Sequence, residues 1–348
     1  MRVAIVIVTF NGRRFVDELF ASLRAHTPSD TAIVVVDNGS TDGTLEALDV
    51  EARRTSNMMV LPQRQNTGFA RGNNIGIAEA RRRGAQFVLL LNHDTVVTPR
   101  WLEPLVAVMD ARPDVAAAQP LLVLHDEPEL VNTAGNQLQF CGFGFCGDYR
   151  RPVAELGDDH VPRSVPYATG AALLLRMSAL DRIGDFDERL FLYHEDLDLQ
   201  VRLRQAGYDC VLVPSAVVRH KYTATFSTAK YVFIERNRMI VLIKDWPLKL
   251  LLLSSPALVA AQLSVMGFAA RGGWLAPLLR GYAEVVRSFG QLLADRRRVQ
   301  AARAANATDV DHLSAAIHFE GFDHAILTQI ANPLLEGYWR LVRPLVGR

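Results

Sequence analysis

The sequence predicts an α/β fold on a largely parallel sheet, and three observations carry that prediction. Short, continuous apolar runs recur at residues 3–8, 32–36 and 87–91, as expected of strands buried on both faces. Helix-like stretches lie between them. Asp37 and Asp94 stand just past two of the runs, where ligands gather in open α/β sheets.

Residues 3–8 are a β-branched run and form the first strand. Met1-Arg2 ahead of it gives a slight likeness to a signal peptide. The run is short, however, Asn11-Gly12 interrupts it, and no small-residue cleavage site follows closely. Residues 14–25 read as a helix, 32–36 as the second strand, and 41–50 as a helix capped by Ser40 or Thr41. A weaker strand at 58–61 precedes a helix over 68–83, which Gly84 can close. The fourth strand is 87–91. This alternation implies parallel pairing. Residues 119–165 are rich in Gly, Pro and acids and read as loops with short strands. A strand is expected at 171–175, a helix at 195–206 stopped by Gly207, and a last short strand at 210–213.

From about Tyr231 the chain turns helical, apolar and basic, so the expected division is a catalytic domain over 1–225 and a helical region over 226–348. Residues 250–270 carry no charge and approach the roughly 20 residues needed to span a bilayer. Ser254, Ser255, Pro256, Gln262 and Ser264 dilute the run. The expectation is therefore a helix in or on a membrane surface, anchored by Arg236, Arg238, Lys244, Lys249 and Arg271. A helix buried in the protein, or in the interface of a homo-oligomer, fits the same composition.

The 348 residues allow one large domain or a catalytic domain with an appendage. A formal net charge of +1 argues against a general nucleic-acid binder, so no nucleic acid partner is expected. Cys141, Cys146 and Cys210 have no metal-binding spacing and read as free thiols of a reducing, cytoplasmic compartment.

Four segments carry candidate chemistry. Asp37, in Val-Asp-Asn-Gly-Ser-Thr-Asp-Gly-Thr (36–44), offers a carboxylate to a ribose hydroxyl or a base N–H; a turn alone also accounts for it. Asp94, in Leu-Leu-Asn-His-Asp (90–94), suits a hard divalent cation whose shell a diphosphate completes. A helix cap would explain the same residues. In Asn-Thr-Gly-Phe-Ala-Arg-Gly-Asn-Asn-Ile-Gly (66–76), glycines would let backbone amides approach a ligand and Arg71 would pair with phosphate. It is neither a Walker loop nor the dinucleotide fingerprint. Finally, Glu195, Asp196 and Asp198 crowd a helix start, where they favour the helix dipole. One of them would alternatively serve as a general base. His220 reads as a metal ligand or as a partly buried histidine.

Taken in order over about residues 3–220, these motifs resemble the inverting GT-A glycosyltransferases of family 2, especially their rhamnosyltransferase-like branch. Val-Thr-Phe-Asn-Gly (8–12), Thr-Gly-Ala (169–171), Gly-Asp-Phe-Asp-Glu (184–188) and Glu-Asp-Leu-Asp-Leu (195–199) complete the set. The resemblance implies a GT-A fold followed by the helical, membrane-associating region. On the donor side it implies Thr9 and Asp37 at the nucleoside, Asn11 and Asn73 nearby, and Arg71 near the base or diphosphate. Asn92 and Asp94 would face the diphosphate, with Asp94 the surviving acid of an Asp-x-Asp metal motif and His220 completing a Mg²⁺ or Mn²⁺ site. Asn92 replaces the motif's first acid and brings no charge. Asp196 would be the catalytic base with Glu195 beside it, and Gly170, Ala171 and Asp187 would face the acceptor.

The activity so implied is transfer of a sugar from a nucleotide-diphosphate donor, with dTDP-rhamnose first and a UDP-hexose or UDP-N-acetylhexosamine second. The acceptor would be a lipid-linked or polysaccharide glycan of the cell envelope, met at the inner face of the membrane. A nucleotidyltransferase making sugar nucleotides is a rival, but the place of its Gly-rich loop reads Thr-Phe-Asn-Gly-Arg-Arg (9–14). A non-catalytic sugar-nucleotide-binding protein is another, against which Asp94, Glu195 and Asp196 speak.

Overall fold

The computed structural model describes residues 2–157, 161–222, 227–304, 310–318 and 325–346. The chain forms two compact units. One comprises Met1–Asn136, Cys146–Leu203 and Tyr208–Thr223, and the other Gln137–Phe145, Arg204–Gly207 and Ala224–Arg348. The second unit thus takes in two short pieces from within the expected catalytic domain. The boundary expected at 225/226 lies outside the described residues.

The first unit opens with β1 (Val3–Thr9), α1 (Arg13–His26), β2 (Ala32–Asp37), α2 (Thr44–Arg54), β3 (Met58–Pro62), α3 (Gly68–Arg82) and β4 (Phe87–Leu91). These strands pair in parallel in the order β4-β1-β2-β3, as the alternation predicts. Burial on both faces divides each strand by residue parity. Val3, Ile5 and Ile7 join one apolar cluster with α1, while Ala4 and Val6 join a second with α3. The helix α2 starts after Gly43 and is closed by Asp42, whose carboxylate accepts from Thr44 N–H, not by Ser40 or Thr41.

After β4 the expectations needed revision. β5 (Thr95–Val97) and α4 (Glu103–Ala111) lead into β6 (Val115–Leu124), ten fully buried residues where loops were expected from Gln119 onward. Its Ala-Ala-Ala-Gln-Pro start hid it, because small residues and a proline lack the bulk that marks a strand. Then come β7 (Val131–Thr133), β8 (Asn136–Gln139), β9 (Gly144–Cys146), β10 (Arg163–Ser164), β11 (Ala172–Arg176), α5 (Met177–Ile183), α6 (Glu195–Gln205) and β12 (Asp209–His220). The last strand is twelve residues long, not the short one expected. The full order is β10-β12-β6-β11-β4-β1-β2-β3, with β5 on β12 and β7 on β6. β11 runs antiparallel to both β4 and β6, so the sheet is mixed.

In the second unit, β13 (Leu313–Ser314) joins β8 and β9 in a small sheet. Its helices are α7 (Thr228–Asp245), α8 (Leu248–Arg271), α9 (Leu275–Arg287), α10 (Phe289–Ala301) and α11 (Asn332–Val346). The three cysteines are free thiols.

Two glycines of the 66–76 segment let α3 lie on β1. A Cβ at Gly72 would come within 2.8 Å of a Val8 methyl, and one at Gly76 within 2.2 Å of Val6 Cγ1. Overpacking of this kind costs about 1–3 kcal/mol, so Gly76→Ala lowers the melting temperature by several degrees. The pair Val6→Ala with Gly76→Ala recovers part of that loss, because the colliding methyl is gone. Thermal melts of the two variants check both statements.

Candidate active site

The carboxyl ends of β1 and β2 bring Thr9 and Asp37 side by side in register. Asp37 is buried and accepts from Ser40 N–H at 3.1 Å and from Ser40 Oγ at 2.5 Å. The turn and the site therefore use one carboxylate. Asn11 joins the same corner: its Oδ1 accepts from Thr41 N–H, and its own N–H donates to Ser40 Oγ. Thr9 Oγ1 is buried and makes no hydrogen bond in the structure.

The glycine segment does not offer free amides. The Phe69 and Ala70 N–H groups, at the start of α3, both donate to the Phe191 carbonyl, at 2.6 and 3.2 Å. Gly68 permits this with φ +86°, and a Cβ there would strike the Phe191 ring. The expected amide cradle is thus corrected: the orphan donors of this helix start are satisfied within the protein. Asn73 is corrected too. It is buried and donates to Phe69 O, so its side chain is not presented to a ligand. Arg71 stays exposed, 3.8 Å from Glu188.

Two asparagines that sequence reasoning passed over bind the motifs together. Asn38 accepts from Thr67 N–H and donates to Gly68 O, fastening the glycine segment to the end of β2. Asn74 exchanges two hydrogen bonds with the backbone of Phe186, and Arg81 grips Asp185 through both nitrogens. Both asparagines lie inside quoted motifs, so the signal was present but carried no role. Asp187, expected at the acceptor, is held by Arg189 through N–H, Nε and Nη2.

The β4–β11 pairing builds the reacting region. Asn92 N–H donates to Ala171 O at 2.9 Å, and Thr95 Oγ1 caps Asn92 O. Next along, Gly170 N–H donates to Asp196 Oδ2 at 3.0 Å. Gln119 receives Thr169 N–H and Gln200 receives Ala168 N–H, so residues 168–171 are pinned on both sides. Gln200 lies four residues after Asp196, on the same helix face. Ala171 itself is buried, and its carbonyl rather than its side chain is in use.

Just before α6 the backbone turns through left-handed values at Phe191 (φ 60°), Tyr193 (71°) and His194 (65°). Such strain persists only where surroundings enforce it. This stretch leads into the first turn of α6, where Glu195 and Asp196 differ in exposure. Asp196 is half-buried, with Oδ1 taking Leu197 N–H as well. Glu195 is buried, and its Oε2 has no hydrogen-bond partner. Desolvation, then the charges of Asp196 and Asp198, push the Glu195 carboxyl well above its ordinary value. Desolvation also raises Asp196, against the pull of the Gly170 and Leu197 amides.

Asp94 and His220 meet across β5 and β12. His220 Nδ1 lies 2.8 Å from Asn132 Oδ1, and its Nε2 lies 3.3 Å from Asp94 Oδ1. Oδ1 is sealed from solvent and makes no aligned hydrogen bond. Burial pushes the Asp94 carboxyl up, but His220 and His93 outweigh it and hold it below the ordinary value. Neighbouring ligands of an octahedral cation at about 2.1 Å stand about 3 Å apart, so these two atoms fit one divalent ion. Asn132 supplies the outer partner that orients a metal-binding histidine; nothing in the sequence marked it. Among the described residues no group of three or more His, Cys, Asp or Glu forms a closed metal cage. A cation held by these two residues would keep positions open for phosphate oxygens.

A mixed sheet with acids at its carboxyl edge, a half-buried carboxylate facing a pinned glycine and an acid set against a buried histidine belong to a GT-A glycosyltransferase. The profile of glycosyl transferase family 2 matches residues 4–184, just over half the chain, and the protein belongs to that family, in its rhamnosyltransferase-like branch. The N-acetylglucosaminyl-diphospho-decaprenol L-rhamnosyltransferase of Mycobacterium tuberculosis is 30% identical over 62% of this chain and 75% of its own. The O-antigen chain rhamnosyltransferase of Salmonella anatum is 25% identical over 64% of this chain and 66% of its own. The pre-mycofactocin glycosyltransferase of M. tuberculosis is 30% identical over 97% of this chain, which spans 65% of that protein. Among solved structures, GalNAc-T7 with UDP, GalNAc and Mn²⁺ superposes at a TM-score of 0.57 and 18% identity, over 70% of this chain and 48% of its own. That likeness shows the fold.

The Glu195 environment fixes a sign for pH. A carboxyl whose folded value is raised holds its proton in the folded state, so stability declines as pH rises from the unfolded value of about 4.5 toward the raised one. Glu195→Gln removes that penalty. The variant is therefore more stable than the parent at pH 7.5, and the gap closes on lowering the pH toward 4.5; melts across that range measure it.

Proposed function

We propose that the chain transfers a deoxyhexose, rhamnose from dTDP-rhamnose first, to a hydroxyl of a lipid-linked or polysaccharide glycan, with inversion. The observation that carries this reading is the spacing of charge along one backbone path. Asp196 is fixed by Gly170, the next residue pairs with Asn92, and Asp94 follows two residues on. A proton acceptor and a diphosphate-side acid are thereby tied to neighbouring residues at the same end of the β4–β11 pair, which supports a sugar being handled between them.

Asp196 takes the proton from the acceptor hydroxyl. The freed oxygen forms the new bond to the anomeric carbon, while the bond from that carbon to the diphosphate oxygen breaks and the nucleoside diphosphate departs. Burial and the neighbouring acids raise the Glu195 carboxyl well above its ordinary value, so the negative charge of the pair is favoured on Asp196, the less buried member. Burial raises the affinity of Asp196 for a proton and makes it a stronger base. A divalent cation such as Mg²⁺ or Mn²⁺, when bound by Asp94 and His220, supplies positive charge to the leaving diphosphate. Asp37 and the Thr9 hydroxyl lie where the nucleoside would be read. The Mn²⁺ in the GalNAc-T7 structure and the lipid-linked substrate in the name of the mycobacterial relative support the cofactor and acceptor classes.

Two observations favour a 6-deoxy sugar. The half-buried Phe69 ring lies 3.3 Å from where a Gly170 Cβ would be, and Asp196 Cβ 3.6 Å from the same point. An apolar wall thus stands beside the base, suited to a methyl group. Rhamnosyltransferases stand among the relatives. The thymine methyl adds about 1 kcal/mol or less when buried, so UDP-sugars compete.

Titration calorimetry with Mn²⁺ tests the donor. dTDP-rhamnose binds more tightly than UDP-N-acetylglucosamine or UDP-galactose, and EDTA or Asp94→Ala removes most of that affinity. Tighter binding of a UDP-sugar would overturn the rhamnose assignment and leave the transferase reading intact. For the base, Asp196→Asn lowers kcat by about 10²–10⁴-fold with donor affinity nearly unchanged. Near-normal turnover of Asp196→Asn alongside loss in Glu195→Gln would exchange the two roles.

A further inference from the structure

The helix α8 is uncharged from Leu250 through Ala270, yet it is not a core helix. Leu248, Leu252, Val259 and Leu263 are each about 60% exposed, spaced four, seven and four residues apart along one side. Ser255, Pro256, Ala260, Ser264 and Gly267 fill the rest of that side. A water-facing helix surface ordinarily carries charge, and from Leu250 to Ala270 about 30 Å of this one carries none.

Its opposite side is already committed. Leu250, Ser254, Ala257 and Ala269 are buried within the helical unit. Gln262 accepts from Arg238 Nη2 and donates to Tyr282 Oη. Arg238 in turn forms a buried ion pair with Glu235 on α7. α11 packs on α8, with the Tyr338 hydroxyl donating to Leu253 O, and it too leaves Leu334, Leu341 and Leu345 exposed. A helix bound on one side to a buried Glu–Arg pair cannot be ringed by lipid without carrying that pair into hydrocarbon. It can lie flat with its free side down.

Charge indicates what the free side meets. Residues 248–301 hold seven Lys or Arg against two Asp or Glu, in a chain whose whole balance is +1. Lys249 and Arg271 close the two ends of α8, and Arg280 and Arg287 follow on α9, all four exposed. Cations flanking an apolar stripe match an anionic lipid surface. We infer that the helical unit docks on an anionic bilayer, with α8 lying in the membrane plane and its Leu248, Leu252, Val259 and Leu263 side inserted at the headgroup boundary. This goes beyond the transfer reaction and stands whichever donor is used.

Vesicle sedimentation of the full chain tests it. The protein sediments with vesicles of phosphatidylcholine and phosphatidylglycerol, less with phosphatidylcholine alone, and high salt weakens the association. Leu252→Glu with Leu263→Glu lowers partitioning by at least about a hundredfold, while the melting temperature and donor binding stay unchanged, since both positions are exposed. Wash with alkaline carbonate releases the parent chain. Retention after carbonate would overturn the in-plane arrangement in favour of a span. Equal sedimentation of parent and double variant would overturn the docking surface. So would a parent dimer, by light scattering, that the double variant dissolves without loss of vesicle binding, since the stripe would then be a subunit interface.

Discussion

The antiparallel insertion of β11 between β4 and β6 is the constraint on which the rest of the first unit depends. A strand reversed in an otherwise parallel neighbourhood starts where its neighbour β4 ends. Ala171 is therefore placed against Asn92 by a main-chain hydrogen bond that continues the β4–β11 pairing, with no side chain needed to bring them together. The same reversal lets Gly170 turn its N–H toward the first turn of α6. Side chains then lock what the backbone arranged. Gln119 and Gln200 hold Thr169 and Ala168, and Arg202 joins Asp198 to the carbonyls of residues 183–185.

Two carboxylate pairings on this frame follow opposite electrostatic rules. Asp94 is drawn toward its charged form because His220 and His93 offset its burial. Among the described residues no cation offsets the burial of Glu195 and Asp196, so desolvation dominates and proton affinity rises. One end of the sheet thus carries an acid held toward its charged form, and α6, tied to it through Gly170, carries acids with raised proton affinity. The strained backbone at Phe191, Tyr193 and His194 leads directly into α6, whose first two residues, Glu195 and Asp196, point apart by helix geometry. Its cost is offset in part by the Phe191 carbonyl, which satisfies two donors at the start of α3.

The helical unit buries a polar network beside its apolar core and leaves apolar side chains outside. Its interior holds Glu235, Arg238, Gln262 and Tyr282 in one connected network, with Arg238 also donating to Cys141 O. Its surface carries leucines. A buried ion pair adds little net stability compared with apolar packing, yet removing one partner is costly. Such a network fixes how α7, α8 and α9 pack while freeing the outer side of α8 from any structural duty.

The sequence by itself determined the parallel half of the sheet, since uninterrupted β-branched runs between amphipathic stretches admit few other arrangements. It also determined the chemical candidates: Thr9, Asp37, Asp94, Glu195, Asp196 and His220 all stand in segments whose order is specific. Local pattern misled it where residues answer to distant partners. β6 was unreadable because its alanines and proline lack the bulk that marks a strand, while its pairing with β11 and β12 runs through the backbone, and Asn73 looked available because the Phe69 carbonyl it serves is a backbone atom. The glycines of residues 66–76 looked like a ligand cradle; Gly72 and Gly76 serve the contact with Val6 and Val8. Only the tertiary structure decided which of Glu195 and Asp196 is sealed, that Asn132 orients His220, and which side of α8 faces outward. Burial and pairing are properties of what lies across a gap, and residues far apart in the chain supply the far side of that gap.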